Sequence, residues 1–143
     1  ATIEELTGKR PTLFRPPFGS YSDTLIETAE SLGYDTVQWS VDSLDWKDIS
    51  TEQIVDRVTR NVKNGSIILF HNNAQHVLEY LPLILENLKA NGYEVVKIND
   101  LIYHGKSHVN EQGCQISDGP GKTEASGDNS DADGSDKNGG DGR

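Results

Sequence analysis

Between residues 12 and 98 the chain switches repeatedly between two periodicities, and this alternation limits its fold more than any other feature. "TLF", from Thr12, is short, apolar and extended. Ser22 to Leu32 then places Leu25, Ile26, Ala29 and Leu32 on one helical face, with Gly33 as the stop. "DTVQWSV" returns to β-branched and aromatic residues. Thr51 to Lys63 reads as a helix opened by a Ser50 and Gln53 capping box, burying Ile54, Val55, Val58 and Val62 and ending at Gly65. "SIILF" is a continuous apolar run suited to a strand buried on both faces. The helix after it carries Leu81, Ile84, Leu85 and Leu88 and stops at Gly92, with Pro82 expected in or near its first turn, where a missing N–H costs least. "YEVVKI" supplies a fourth strand. Four strands and three intervening helices imply an α/β fold with parallel strands, right-handed crossovers and helices outside. That is too few strands to close a barrel, so half a barrel or an open sheet is expected.

The composition breaks at Ser117. From there "SDGPGKTEASGDNSDADGSDKNGGDGR" has no aromatic and no large aliphatic residue, so it cannot offset its chain entropy by burial and reads as a disordered acidic tail. The division is therefore residues 1–116 and 117–143. Within the tail "NSDADG", Asn129 to Gly134, resembles the opening of a calcium loop, but the twelfth position holds Gly140 rather than an acid and no apolar helix flanks it; an acidic linker is the expectation. A net charge of -10, without clustered Lys and Arg, excludes a nucleic-acid binder. Cys114 is the single cysteine, so neither a disulfide framework nor a cysteine metal cluster is available. With no methionine in 143 residues, the sequence reads as a piece of a longer protein.

In parallel α/β folds chemistry gathers where strands end, and three junctions are unusual. "RPPFG" puts Arg15 into a turn stiffened by consecutive prolines, with Gly19 allowing close backbone approach. Alone, it reads as a rigid surface turn with Arg15 in an ion pair. "DSLDW" places Asp42 and Asp45 beside Trp46, which alone is a capped loop with an aromatic filler. "LFH" ends the most apolar strand on His71, the best candidate for proton transfer, although one such histidine is as readily structural. His76, His104 and His108 read as solvated. Taken together, an arginine, an acid beside a tryptophan and a histidine fall at successive strand ends on one rim. A carboxylate on the far nitrogen of an imidazole fixes its tautomer and favours the protonated ring, a role open to Asp45 toward His71. No paired serine or cysteine nucleophile, phosphate loop or metal-type histidine spacing accompanies them.

"RPPFG", "DSLDW" and "LFH", in that order, resemble the third, fourth and fifth motifs of the NodB-like polysaccharide deacetylases, carbohydrate esterase family 4, and "SLGYDTVQWSVD" and "LKANGYEVVKINDLIY" are similar to the same family. The resemblance implies the C-terminal half of a distorted barrel of seven β/α units, and metal-assisted removal of N-acetyl groups from N-acetylglucosamine polymers such as peptidoglycan or chitin. It implies that His71 is the general acid, that Asp45 holds it, and that Arg15 orients an aspartate base. The N–H of Phe18 would stabilise the oxyanion, and Trp46 and Leu69 would wall the acetyl pocket; Asp42 braces its loop. The family's first two motifs, with the base and the ligands of a divalent metal, zinc first, are absent from this sequence and expected in a missing N-terminal half. Any membrane anchor would lie there too, and an extracellular or cell-surface location is implied by resemblance alone. The alternative is a non-catalytic carbohydrate-binding or interaction fragment that keeps the pocket and needs no metal.

Overall fold

The structure, a computed structural model, describes residues 2–119. The described residues divide between Leu101 and Ile102 into two compact units. The first unit opens with a short helix, α1 (Thr2–Thr7), for which the sequence offered no signal. Strand β1 (Leu13–Phe14) then leads through a 3-10 turn (Pro17–Gly19) to α2 (Asp23–Ser31). Next come β2 (Asp35–Thr36), β3 (Val41–Asp42), α3 (Thr51–Asn61), β4 (Ile68–Leu69), α4 (Val77–Ala90) and α5 (Ile98–Leu101).

Pairing is parallel, as the alternation demands. Leu13 and Phe14 of β1 lie opposite Asp35 and Thr36 of β2, and Val41 and Asp42 of β3 lie opposite Ile68 and Leu69 of β4. Because β2 and β3 follow one another in one stretch of chain, residues 35–43 take β1 on one side and β4 on the other. The backbone N–H groups of Asp35 and Val37 donate to Thr12 and Phe14, and those of Ser40, Val41 and Ser43 donate to Ile67 and Leu69.

Helices α3 and α4 build the core over the second pair. Val41, Ile54, Val58, Tyr80, Ile84 and Leu88 are buried together, with Ile68 and Phe70 packed against them. The capping box forms as the residues require: Ser50 Oγ accepts from the Gln53 N–H at 3.3 Å, and Gln53 Oε1 accepts from the Ser50 N–H at 2.9 Å. Helix α2 begins on Ser22, whose Oγ accepts from the Leu25 N–H, and gives way at Gly33, where φ is 80°. Leu32, expected on its buried face, is the C-cap residue and is exposed.

Several expectations change. Residues 66–70 are half-buried, not buried on both faces: Ile68 and Phe70 meet the helical core, while Ile67 and Leu69 alternate onto the other side. "YEVVKI" forms no strand. Val95 is 67% exposed and Val96 42%, and Ile98 already begins α5. A strand needs a ladder partner for its N–H and C=O groups, and none lies beside this run among the described residues. Helix α4 starts at Val77, so Pro82 sits in its second turn rather than its first. The carbonyl that loses its donor is that of Leu78, an exposed residue, so the missing bond falls at the solvent-facing side of the helix. No helix among the described residues is long and apolar enough to cross a membrane.

The second unit holds an antiparallel hairpin, β5 (Ser107–Val109) with β6 (Gln115–Ser117), whose turn is knit by Asn110 Oδ1 accepting from the N–H groups of Gln112 and Cys114. Gln115 donates to and accepts from the backbone of Tyr103. Cys114 is exposed. Of the stretch read as a tail from Ser117, Ser117 closes β6 and Asp118 pairs with His108, while residues 120–143, including "NSDADG", lie outside the described residues.

Candidate active site

The loop after β3 is shaped by its own polar side chains. Asp42 Oδ1 accepts from the Leu44 N–H at 2.9 Å, closing an Asx turn, and the Asp42 carbonyl accepts from Arg57 Nε at 2.7 Å, so α3 grips the strand end. Asp42 is thus the brace of the loop. Leu44 adopts φ 55°, a left-handed conformation unusual for a bulky side chain, and the next residue is turned inward. That residue is Asp45.

Asp45 is buried, and its carboxylate gathers several donors. Oδ1 lies 2.7 Å from His71 Nδ1, the His71 backbone N–H donates to both oxygens at 3.1 and 3.2 Å, and Tyr80 donates its phenol O–H to Oδ2 at 2.6 Å. Beneath it, Ser43, fully buried, accepts from the Asp45 N–H. Burial alone would raise the carboxyl's pKa and is the largest single influence, but the hydrogen bonds from Tyr80, the His71 backbone and ring, and Ser43 together outweigh it and hold Asp45 below the usual carboxylate range. The Tyr80 hydroxyl is pushed far above its ordinary value, first by burial and then by its bond to Asp45 and that residue's charge. An ionised Asp45 only accepts, so His71 Nδ1 carries a hydrogen. The tautomer of the neutral ring is thereby set. The His71 side chain retains 27% exposure, and Trp46, itself exposed, turns an edge toward it with ring centroids 6.3 Å apart. Lys47 Nζ lies 5.4 Å from the Trp46 ring.

Tyr80 had not been singled out from the sequence. In an amphipathic helix a tyrosine at the spacing of Ile84 and Leu88 reads as core, and only the tertiary fold reveals what its hydroxyl meets. His76 and His108, read as solvated, are exposed and pair with Glu79 and Asp118.

Arg15 and Phe18 form a separate group. The Arg15 guanidinium carbon lies 5.9 Å from the centroid of the Trp39 ring, and its Nε is buried without a hydrogen-bond partner. The ion pair of the plain surface-turn reading is not found among the described residues. Pro16 is buried; Phe18, wholly exposed, sits at φ 57° in the turn. No hydrogen bond or ring contact among the described residues joins this group to Asp45 and His71. The three junctions are all strand ends, yet they are not level. Strand β1 meets the central stretch at Thr36 whereas β4 meets it at Asp42, which sets Arg15 back along that stretch. Leu69, at the end of β4, is half-buried and accepts from the Ser43 N–H through its carbonyl. Among the described residues no three His, Cys, Asp or Glu side chains converge as metal ligands, so this donor set does not fit a zinc site.

Residues 1–37 match the family model described as polysaccharide deacetylase. A peptidoglycan-N-acetylglucosamine deacetylase of Bacillus cereus is 40% identical over 99 residues, covering 66% of this chain and 46% of that protein. The solved family 4 carbohydrate esterase from Streptomyces lividans, in complex with acetate, is 38% identical with a TM-score of 0.62, covering 67% of this chain and 50% of its own. A family 4 pseudoenzyme from Bacillus anthracis is 33% identical with a TM-score of 0.66, covering 69% of this chain and 35% of its own. The chain thus spans about half, or less, of the length of these relatives. By sequence and by fold it belongs to the NodB-like polysaccharide deacetylases of carbohydrate esterase family 4.

Proposed function

We propose that the chain is the C-terminal half of a deacetylase barrel that hydrolyses N-acetyl groups on N-acetylglucosamine polymers, with peptidoglycan, the substrate named for the Bacillus cereus relative, ahead of chitin. The observation that carries this reading is the Asp45–His71 pair with Nδ1 engaged by the carboxylate. In the hydrolysis water adds to the acetamide carbon, and the C–N bond breaks as the sugar nitrogen takes a proton, releasing acetate and an amine. His71 Nε2 gives that proton, and Asp45 keeps the ring oriented and stabilises its charged form. Trp46 and Leu69 wall the space for the acetyl methyl. The Phe18 N–H donates to the developing oxyanion, and Arg15, whose Nε is unbonded, orients an aspartate base from outside this sequence. A divalent metal, zinc in this family reading, would likewise be held by side chains outside the sequence. The enzyme would work at the cell surface on the wall polymer.

In the complete protein, His71→Ala lowers kcat by ~10²–10⁴ while bound metal stays unchanged, as metal analysis beside a chitooligosaccharide deacetylation assay would read. Loss of metal would make His71 a ligand instead, and undiminished turnover would make it structural.

A second reading has one observation in its favour, the similarity to a family 4 pseudoenzyme. On it the chain belongs to a non-catalytic carbohydrate-binding or interaction protein. The complete wild-type protein separates the two: measurable release of acetate supports the enzyme, and polymer binding without release supports the alternative.

A further inference from the structure

The turn that carries Arg15 and Phe18 is held from below by two neighbours in the central stretch. Gln38 Nε2 donates to the Gly19 carbonyl at 2.7 Å. A Cβ at Gly19 would lie 2.7 Å from Trp39 Cη2, closer than real Cβ atoms come, and Gly19 also needs φ 69°, so Trp39 is in contact with a position only glycine fills. The same indole ring lies under the Arg15 guanidinium. Neither residue reads as ordinary core. Both are half-buried, and Gln38 keeps Oε1 buried without a partner. A side chain serving only to fill space has no need of an amide there.

We propose that Gln38 and Trp39 are positioning residues that hold the Arg15–Gly19 turn in its catalytic shape, Gln38 by its bond to the Gly19 carbonyl and Trp39 by carrying Arg15 on its face and bracing Gly19 at its edge. The inference rests on the deacetylase reading for the roles of Arg15 and Phe18. Phe18 occupies a left-handed conformation that costs energy for a non-glycine residue, and such conformations persist only where surrounding contacts over-determine them. The Gln38 bond and the Trp39 edge at Gly19, the next residue, are those contacts. Trp39 stacking also directs the unbonded Arg15 Nε without neutralising it, leaving the guanidinium for a carboxylate.

The test uses three variants of the complete protein and two readouts. Gln38→Glu keeps the shape but sets an acceptor against the Gly19 carbonyl; Trp39→Leu removes the face under Arg15; Trp39→Phe keeps a face. Gln38→Glu and Trp39→Leu are expected to lower kcat about tenfold to a hundredfold with KM and metal content near wild type, and Trp39→Phe to recover most of the loss. Independently of activity, amide hydrogen exchange at Gly19 and Ser20 should quicken in the first two variants, while the amides of α3 and α4 keep their protection. Unchanged exchange in the turn overturns the inference whatever the activity does, and quickened exchange with wild-type kcat overturns its catalytic part. Should Trp39→Leu loosen the helices as well, the volume-conserving Gln38→Glu decides. If wild-type protein releases no acetate, the deacetylase reading fails, while quickened exchange still supports the hold on the turn.

Discussion

Asp45 concentrates more of the site's energetics than any other residue, because one buried carboxylate satisfies a backbone N–H, an imidazole and a phenol at once. Asparagine in its place cannot accept from all of them, since its amide nitrogen must face another donor. Asp45→Asn should therefore destabilise the fold by about 1–3 kcal/mol, measured by urea unfolding. The shifts of the pair also give the stability profile two limbs. Asp45 binds its proton less readily folded than unfolded, so its contribution is whole above the ordinary carboxyl value of ~3.9 and is lost as pH falls through its lowered folded value. Tyr80 behaves oppositely: its contribution is whole below ~10, the usual phenol value, and is lost as pH climbs toward the raised folded value. Melting across pH should show both losses. Tyr80→Phe should flatten the alkaline limb, and an unaltered limb in that variant would separate Tyr80 from it. At this scale the sequence was partly legible. An acid beside a tryptophan and a histidine at a strand end are local patterns, whereas the meeting of Tyr80 with Asp45 depends on how α4 docks.

Elements were legible where their signals are local. The capping box of α3 is spelled in the chain itself, and Ser50→Ala should cost about 1 kcal/mol of stability in a denaturant melt, with the helix start frayed. Strands were harder, because a ladder is made by two segments and a run of apolar residues announces only one. That is why "DTVQWSV" resolves into two short pairings with different neighbours and why "YEVVKI" has none. Pro82 was expected in or near the first turn and lies at the start of the second, where the carbonyl without a donor belongs to the exposed Leu78.

For the first unit, α/β character and parallel pairing were readable from the alternation, while the stagger between β1 and β4 was not, since register is set by packing across strands, and the antiparallel hairpin of the second unit was not read from the sequence. β1 and β4 each have one described strand neighbour, and Ile3, Leu6, Val95 and Val96 are exposed. Expressed alone, the 143-residue chain should associate or melt broadly, as size-exclusion chromatography and calorimetry would report, and it should release no acetate. A sharp, reversible melt of a monomer would count against this picture.

The stretch from Asp35 to Asp45 touches both groups of site residues, with Gln38 and Trp39 beneath one and Asp42, Ser43 and Asp45 forming the other. It therefore acts as a ruler whose length sets the spacing of two halves of a site. Adding one residue between Trp39 and Val41 would delete no side chain, yet it would change the distance and the facing of the clamp relative to the dyad. Adding two in extended form would move the halves of the proposed site apart by about 6–7 Å. In this stretch, spacing along the chain is as much a part of the proposed site as the residues it carries.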